Sequence, residues 1–229
     1  MASDYEEIGK DNIRRRGEDF EDIGRLLAEK LYGDRGHFLF ELLQNAEDAL
    51  FDRRMKEPDG TFSADVKFDL FHDRLEFRHF GRIFEKSDVC AITDVLRGTK
   101  SERLNQIGTF GIGFKSVFAF TSSPEIHSGD EHFVIERYIR PRAIEARPDV
   151  REDETLFVFP FDHPEFDVSK AFILIRNGLR KLGSQTILFL RSVESLSWSI
   201  EDEGAAIFLR ERRHSPHGGE VVRFLNQVQ

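Results

Sequence analysis

Apolar positions along the chain first keep a helical rhythm and then switch to alternation. From about Asp11 to Tyr32, the residues Ile13, Phe20, Ile23, Leu26, Leu27 and Leu31 recur at amphipathic helical spacing until Gly33 breaks the pattern. A second helix is predicted from about His37 to Arg54, closed by the turn signal Pro58-Asp59-Gly60. The period then becomes two: Val66, Phe68 and Leu70 alternate with polar residues, as do Leu75 and Phe77, with His72-Asp73 between them as a hairpin turn. A short helix is predicted from Ser87 to Val95 with Ser87 as its N-cap, then a glycine-rich segment from Gly98 to Gly113, then a helix from Phe114 to Phe120. Further strands are predicted at Glu125 to Ser128, His132 to Tyr138, Thr155 to Phe161 and Gln185 to Leu190, with a helix from Ser169 to Leu182 between the last two.

This order lacks the strict strand–helix alternation of a parallel doubly wound sheet. It predicts an α+β fold, a mixed sheet with helices on one face. No repeat or long linker divides the chain. Residues 1–36 read as an N-terminal helical extension, 37–200 as the main domain, and 201–229 as a C-terminal extension or the start of a following domain.

Composition sharpens the picture. A length of 229 residues with 39% hydrophobic content suits one large domain with a real core. Phenylalanine supplies most of the aromatic residues, 23 against one Trp and three Tyr, which points to a Phe-rich core. A net charge of -9 argues against a broad nucleic-acid footprint. Cys90 is the only cysteine, so a disulfide framework or a cysteine zinc site within one chain is excluded. No apolar run is long enough to span a membrane, and Met1 to Lys10 lacks the apolar core of a secretion signal. The expectation is a soluble cytoplasmic protein with no membrane contact.

Two segments carry candidate chemistry. At about 100° per residue, Glu41, Asn45 and Asp48 fall in one stripe of the second helix, opposite Leu39, Leu42, Leu43, Ala46 and Leu50. An Asn carbonyl suits Mg²⁺, and a Glu one turn earlier can act as general base on a water attacking a phosphate. The same stripe would also suit the solvated face of a surface helix. The second segment is Gly108-Thr109-Phe110-Gly111-Ile112-Gly113-Phe114-Lys115-Ser116. Glycines let backbone amides approach phosphate oxygens, and a following helix N-terminus favours an anion. A P-loop is excluded because Phe114 separates Gly113 from Lys115 and because Glu102 to Gln106 is too polar for the buried strand a P-loop needs.

Together these segments resemble the GHKL ATPase superfamily, which includes gyrase, the ninety-kilodalton heat-shock chaperone, histidine kinases and MutL. The superfamily's Glu-x-x-x-Asn-x-x-Asp-Ala motif is matched in full by Glu41, Asn45, Asp48 and Ala49. Its Gly-x-x-Gly-x-Gly lid is matched by Gly108, Gly111 and Gly113, and Thr99-Lys100-Ser101 resembles the polar stretch before it. Ile107 to Phe118 and Thr155-Leu156-Phe157 resemble the sacsin-like branch. The resemblance implies the Bergerat fold, a two-layer α/β sandwich with a mostly antiparallel mixed sheet. It implies ATP and Mg²⁺ as ligands, Asn45 on the metal and Glu41 as the base for slow hydrolysis. It places Asp48, Ala49, His79, Gly81, Thr99, Lys100, Gly108, Gly111, Ile112, Gly113, Phe114, Lys115 and Thr155 along the nucleotide. It further implies lid closure, further domains of the same polypeptide, a client protein or nucleic acid, and a nucleotide-dependent homodimer.

Three positions, His79, Ile83 and Glu154, depart from the pattern. Where most members carry Asp-x-Gly-x-Gly, this chain reads His79-Phe80-Gly81-Arg82-Ile83, and Glu154 replaces the usual Gly before Thr155. The superfamily's Asp accepts from the adenine amino group; a neutral imidazole nitrogen can accept as well. Other readings of the same residues are the nucleotide domain of a histidine kinase and a degenerate module that binds without turnover.

Overall fold

The computed structural model describes residues 1–16, 37–94, 112–214 and 220–228. Helix α1 (Tyr5–Arg16) is followed by α2 (His37–Lys56), the hairpin β1 (Asp65–Leu70) and β2 (Arg74–His79), and α3 (Lys86–Thr93). Then come α4 (Ile112–Lys115), a 3-10 turn (Ser116–Ala119), and the strands β3 (Glu125–Ser128), β4 (Glu131–Glu136), β5 (Arg140–Ala143) and β6 (Thr155–Pro160). Helices α5 (Val168–Leu179) and α6 (Ser184–Leu188) precede β7 (Ser195–Ile200), β8 (Gly204–His214) and β9 (Glu220–Val228).

The strands form one sheet in the order β5-β4-β3-β6-β2-β1-β7-β8-β9. Among the described residues, only the β1–β7 pair is parallel and every other pairing is antiparallel. The fold is therefore the expected α+β class with a mixed, mostly antiparallel sheet. The residues after 200 continue this sheet as β8 and β9.

Alternation explains the two faces. Val66, Phe68, Leu70, Leu75 and Phe77 point into a core shared with Leu39, Leu42, Leu43 and Leu50 of α2. Phe68, Phe77, Phe114, Phe118, Phe133, Phe157 and Phe159 are all essentially fully buried there, which accounts for the phenylalanine bias. Each such side chain contributes about 1.5–3 kcal/mol by leaving water. On the opposite face, buried Glu76 is held by Arg74, Arg78 and Arg147, each at 3.0 Å. Burial alone would raise that carboxyl, but the three guanidiniums outweigh it and hold it below the usual range.

The N-terminal helix is tied to the sheet through polar contacts. The Tyr5 hydroxyl donates to Glu131 (2.6 Å) and accepts from the His132 N–H (3.0 Å), and Asn12 donates to the Ile139 carbonyl (2.9 Å). This helix begins at Tyr5 rather than Asp11; the remainder of the predicted 11–32 helix lies outside the described residues.

Two local expectations are corrected. The stretch predicted as a strand from Gln185 to Leu190 is the short helix α6, because its apolar run does not alternate: Ile187 is buried, while Leu188 and Phe189 are 55% and 86% exposed. Helix α3 starts one residue earlier than predicted, with Glu85 rather than Ser87 as its N-cap, and the Glu85 N–H donates to the Asp88 carboxylate at 2.7 Å.

Candidate functional site

Helix α2 presents the polar stripe as the spacing predicts. Leu39, Leu42, Leu43, Ala46 and Leu50 are all buried beneath it. Glu41 and Asp48 are half-buried, and Asn45 is only 7% exposed. A fully solvated surface stripe is therefore excluded at Asn45.

Neighbouring acids on this helix have opposite fates. Glu47 turns to the segment before β7, where its two oxygens accept from the backbone N–H groups of Arg191 (2.8 Å), Ser192 (2.7 and 2.9 Å) and Val193 (3.0 Å). Asp48 receives nothing at Oδ2, which is buried without a hydrogen-bond partner. Burial, with help from the charges of Glu47 and Asp52, pushes the Asp48 carboxyl up to about 6. An orphaned buried acceptor of this kind calls for a donor or a cation. Asp48 also lines an open groove of about 560 Å³ between α2 and α6, beside Gln44, Phe51, Thr186 and Phe189.

The turn after β2 lies directly on the helix. The Arg82 N–H donates to the Ala49 carbonyl at 2.8 Å. A Cβ at Gly81 would sit 2.5 Å from the Ala49 Cβ and 2.7 Å from its carbonyl carbon, so glycine is required by close approach. Ala49 and Gly81, both placed along the nucleotide by the resemblance, are thus in contact.

The sheet register supplies the rest of this end of the site. Val66, His79, Thr155, Ser128 and Glu131 form one row across β1, β2, β6, β3 and β4. His79 is 1% exposed, and its Nδ1 accepts from the Gly81 N–H at 3.1 Å. Burial pushes its pKa down to about 3, so the ring is neutral. Thr155 Oγ1 shares a 2.6 Å hydrogen bond with Ser128 Oγ, which in turn accepts from the Phe84 N–H at 2.9 Å. Ser128 was not legible as a site residue, because its place beside Thr155 depends on the strand order. Glu154, another departure from the pattern, belongs to the opposite face: its carboxylate takes Arg78 Nη1 at 3.4 Å and the Arg151 N–H at 3.2 Å.

Lys115 does not project toward a phosphate site. It is 3% exposed, and its ammonium donates to the carbonyls of Ile92 (2.8 Å) and Tyr138 (2.5 Å). Burial pulls its pKa down to about 7. Proximity to the glycines in sequence is overridden by the turn of α4, which directs the side chain under α3 and into the loop after β4. Phe114 likewise is a core residue, its ring 5.9 Å from Phe157 and 6.2 Å from Phe159. Ile112 and Gly113 open α4. Thr99, Lys100, Gly108 and Gly111 lie outside the described residues. Among the described residues there is no cluster of three or more His, Cys, Asp or Glu able to hold a metal ion. Nor is any helix among them long and apolar enough to cross a membrane.

A helix carrying Glu, Asn and Asp in one stripe, laid on a mixed antiparallel sheet and touching the glycine turn after its first hairpin, defines a GHKL-like domain. Residues 21–155 match the Sacsin domain, and the chain belongs to that family. It is 31% identical over 174 residues to the Protein NO VEIN of Arabidopsis thaliana, covering 74% of this chain and 6% of that protein. It is 32% identical over 107 residues to the Sacsin of Homo sapiens, covering 44% of this chain and 2% of that protein. The chain thus spans a small fraction of the length of these relatives.

Proposed function

We propose that this domain binds Mg-ATP between α2 and the β2–β6 end of the sheet and hydrolyses it slowly. The observation that carries the reading is the α2 stripe, with buried Asn45 and the orphaned carboxylate oxygen of Asp48. Asn45 and Asp48 fit a hydrated divalent cation, one as an amide oxygen and the other as an unpaired acceptor. Mg²⁺, when bound, supplies charge neutralisation to the phosphate oxygens. Glu41 takes the proton of the attacking water, and Ala49, Gly81, Thr155 and His79 bound the base end. The lid that the resemblance implies, with Thr99, Lys100, Gly108 and Gly111, lies outside the described residues, and Lys115 is not taken as an anion contact.

In this reading the domain is an ATP-driven switch in a larger polypeptide of chaperone-like or nucleic-acid-remodelling type, active in the cytoplasm and able to dimerise with nucleotide bound. A second reading, nucleotide binding without turnover, is favoured by the withdrawal of Lys115 into the core. Phosphate release separates the two. Magnesium-dependent release by the wild type, lost in Glu41→Gln while ATP binding persists, supports hydrolysis; a general base contributes about 10²–10⁴-fold in rate. Equal turnover in the two proteins refutes the role of Glu41.

A further inference from the structure

Residues 190–193, between α6 and β7, belong to neither helix nor strand, yet charged side chains hold their backbone from both sides. Glu47 of α2 accepts from the N–H groups of Arg191, Ser192 and Val193. On the other side, the Arg210 guanidinium of β8 donates to the carbonyls of Leu190, Arg191 (2.6 Å) and Val193 (2.5 Å). The peptide units Leu190–Arg191 and Arg191–Ser192 therefore give their N–H to an anion and their carbonyl to a cation. Hydrogen bonds with one charged partner are roughly twice as strong as neutral ones. The backbone thus joins Glu47 to Arg210.

Both ends of this link are anchored. Arg210 lies within β8, paired with Phe224 of β9, and its own N–H donates to the Glu194 carbonyl at 2.8 Å. Glu47 lies on α2 between Asn45 and Asp48. In the middle, Ser192 and Val193 are 3% and 0% exposed, so water does not compete for their amides. A helix is stiff over one turn, so a shift of α2 that moves Asn45 and Asp48 moves Glu47 as well. Hydrogen-bond networks between rigid elements are the kind of path along which such a shift is felt elsewhere.

We propose that Arg210 is a positioning residue for the α2 stripe: by clamping residues 190–193 against Glu47 it sets where Asn45 and Asp48 stand, and it ties occupancy of the stripe to β8 and β9. The occupant rests on the Mg-nucleotide reading above, whereas the link rests on the hydrogen bonds alone.

Two measurements on the full chain test this. The first needs no ligand. Urea unfolding of Glu47→Gln, Arg210→Gln and the double variant is expected to show losses that fall short of additive, because each substitution cuts the same link. Fully additive losses overturn the proposal. The second adds Mg²⁺ and a hydrolysis-resistant ATP analogue. In the wild type, binding is expected to slow hydrogen exchange at Ser192, Val193 and the paired amides of β8. Arg210→Gln is expected to bind about threefold to tenfold more weakly, the fold-change of one net hydrogen bond, and to lose the slowing in β8. Arg210→Lys should restore part of both, since an ammonium keeps the charge without the planar fork. A role in stability alone would lower the melting temperature of Arg210→Gln and leave its affinity and exchange response unchanged, and that result overturns the proposal. Should Arg210→Gln fail to fold, Arg210→Lys against the wild type carries the same comparison. If the wild type binds no nucleotide, the nucleotide-binding reading falls, and the additivity of the unfolding losses decides the link by itself.

Discussion

Replacing Gly81 with alanine tests the contact on which the site's geometry depends. The added Cβ would lie 2.5 Å from the Ala49 Cβ, 2.7 Å from the Ala49 carbonyl carbon and 2.9 Å from the Leu50 nitrogen. Ordinary carbon contacts fall near 3.5–4.0 Å, so something must move by about 1 Å. None of the obstructing atoms is the end of a flexible side chain, and α2 is pinned by Leu42, Ala46 and Leu50 in the core. Overpacking of this kind costs about 1–3 kcal/mol, and displacing the Arg82–Ala49 hydrogen bond adds about 1 kcal/mol. Reduced freedom of the unfolded chain returns about 0.4–1 kcal/mol. The expected net loss is about 1–3.5 kcal/mol. Urea unfolding followed by the fluorescence of Trp198, the single tryptophan and a buried one, measures it. Gly9→Ala is the matched control. Gly9 lies within α1, and its added Cβ meets only Pro141 Cδ at 3.8 Å. That variant should gain about 0.5–1 kcal/mol from helix propensity. A Gly81→Ala protein within 0.5 kcal/mol of wild type, on the scale where surface changes normally fall, would refute the close packing of this turn on α2.

Two further outcomes follow from neighbouring acids. Glu47→Gln should destabilise the fold by about 1.5–3 kcal/mol, the worth of a charge-assisted hydrogen bond, and should speed hydrogen exchange at Arg191, Ser192 and Val193; unchanged exchange there would contradict the clamp. For Asp48, whose carboxyl titrates near 6 when folded against an ordinary value of 3.8, the folded state binds more protons between those values. Its contribution to stability is thus full below pH about 4 and declines as the pH rises through about 6. Asp48→Asn should flatten that part of the stability profile, and an Asp48 carboxyl titrating near 4 by NMR would contradict the burial argument.

The features most legible in the sequence are those fixed by local periodicity. The α2 stripe follows from helical spacing, and the β1–β2 hairpin from alternation around His72-Asp73, where the Phe71 N–H donates to the Arg74 carbonyl at 2.9 Å. What depends on tertiary partners was not legible. Ser195 to Ile200 alternates and is a strand, whereas Gln185 to Leu190, predicted as a strand, opens as a short helix with Leu188 and Phe189 exposed. The pairing of Thr155 with Ser128 requires the order β3-β6-β2, which no local pattern encodes. Lys115 follows three glycines in the sequence, but its direction is set by the carbonyls of Ile92 and Tyr138, residues 23 positions away on either side. The protonated nitrogen of His79 likewise depends on a turn amide two residues on.

The central claim is that α2 presents a metal-assisted nucleotide site. Calorimetric titration of Mg²⁺ and a hydrolysis-resistant nucleoside triphosphate into the wild type and into Asn45→Ala tests it most directly. Asn45 is buried at the middle of the stripe, so its amide oxygen has a fixed place from which to hold the cation. The account predicts that the wild type binds the nucleotide more tightly with Mg²⁺ than without, and that Asn45→Ala, still folded, shows no magnesium effect. An equal magnesium effect in the two proteins, or no nucleotide binding by the wild type at all, would contradict it.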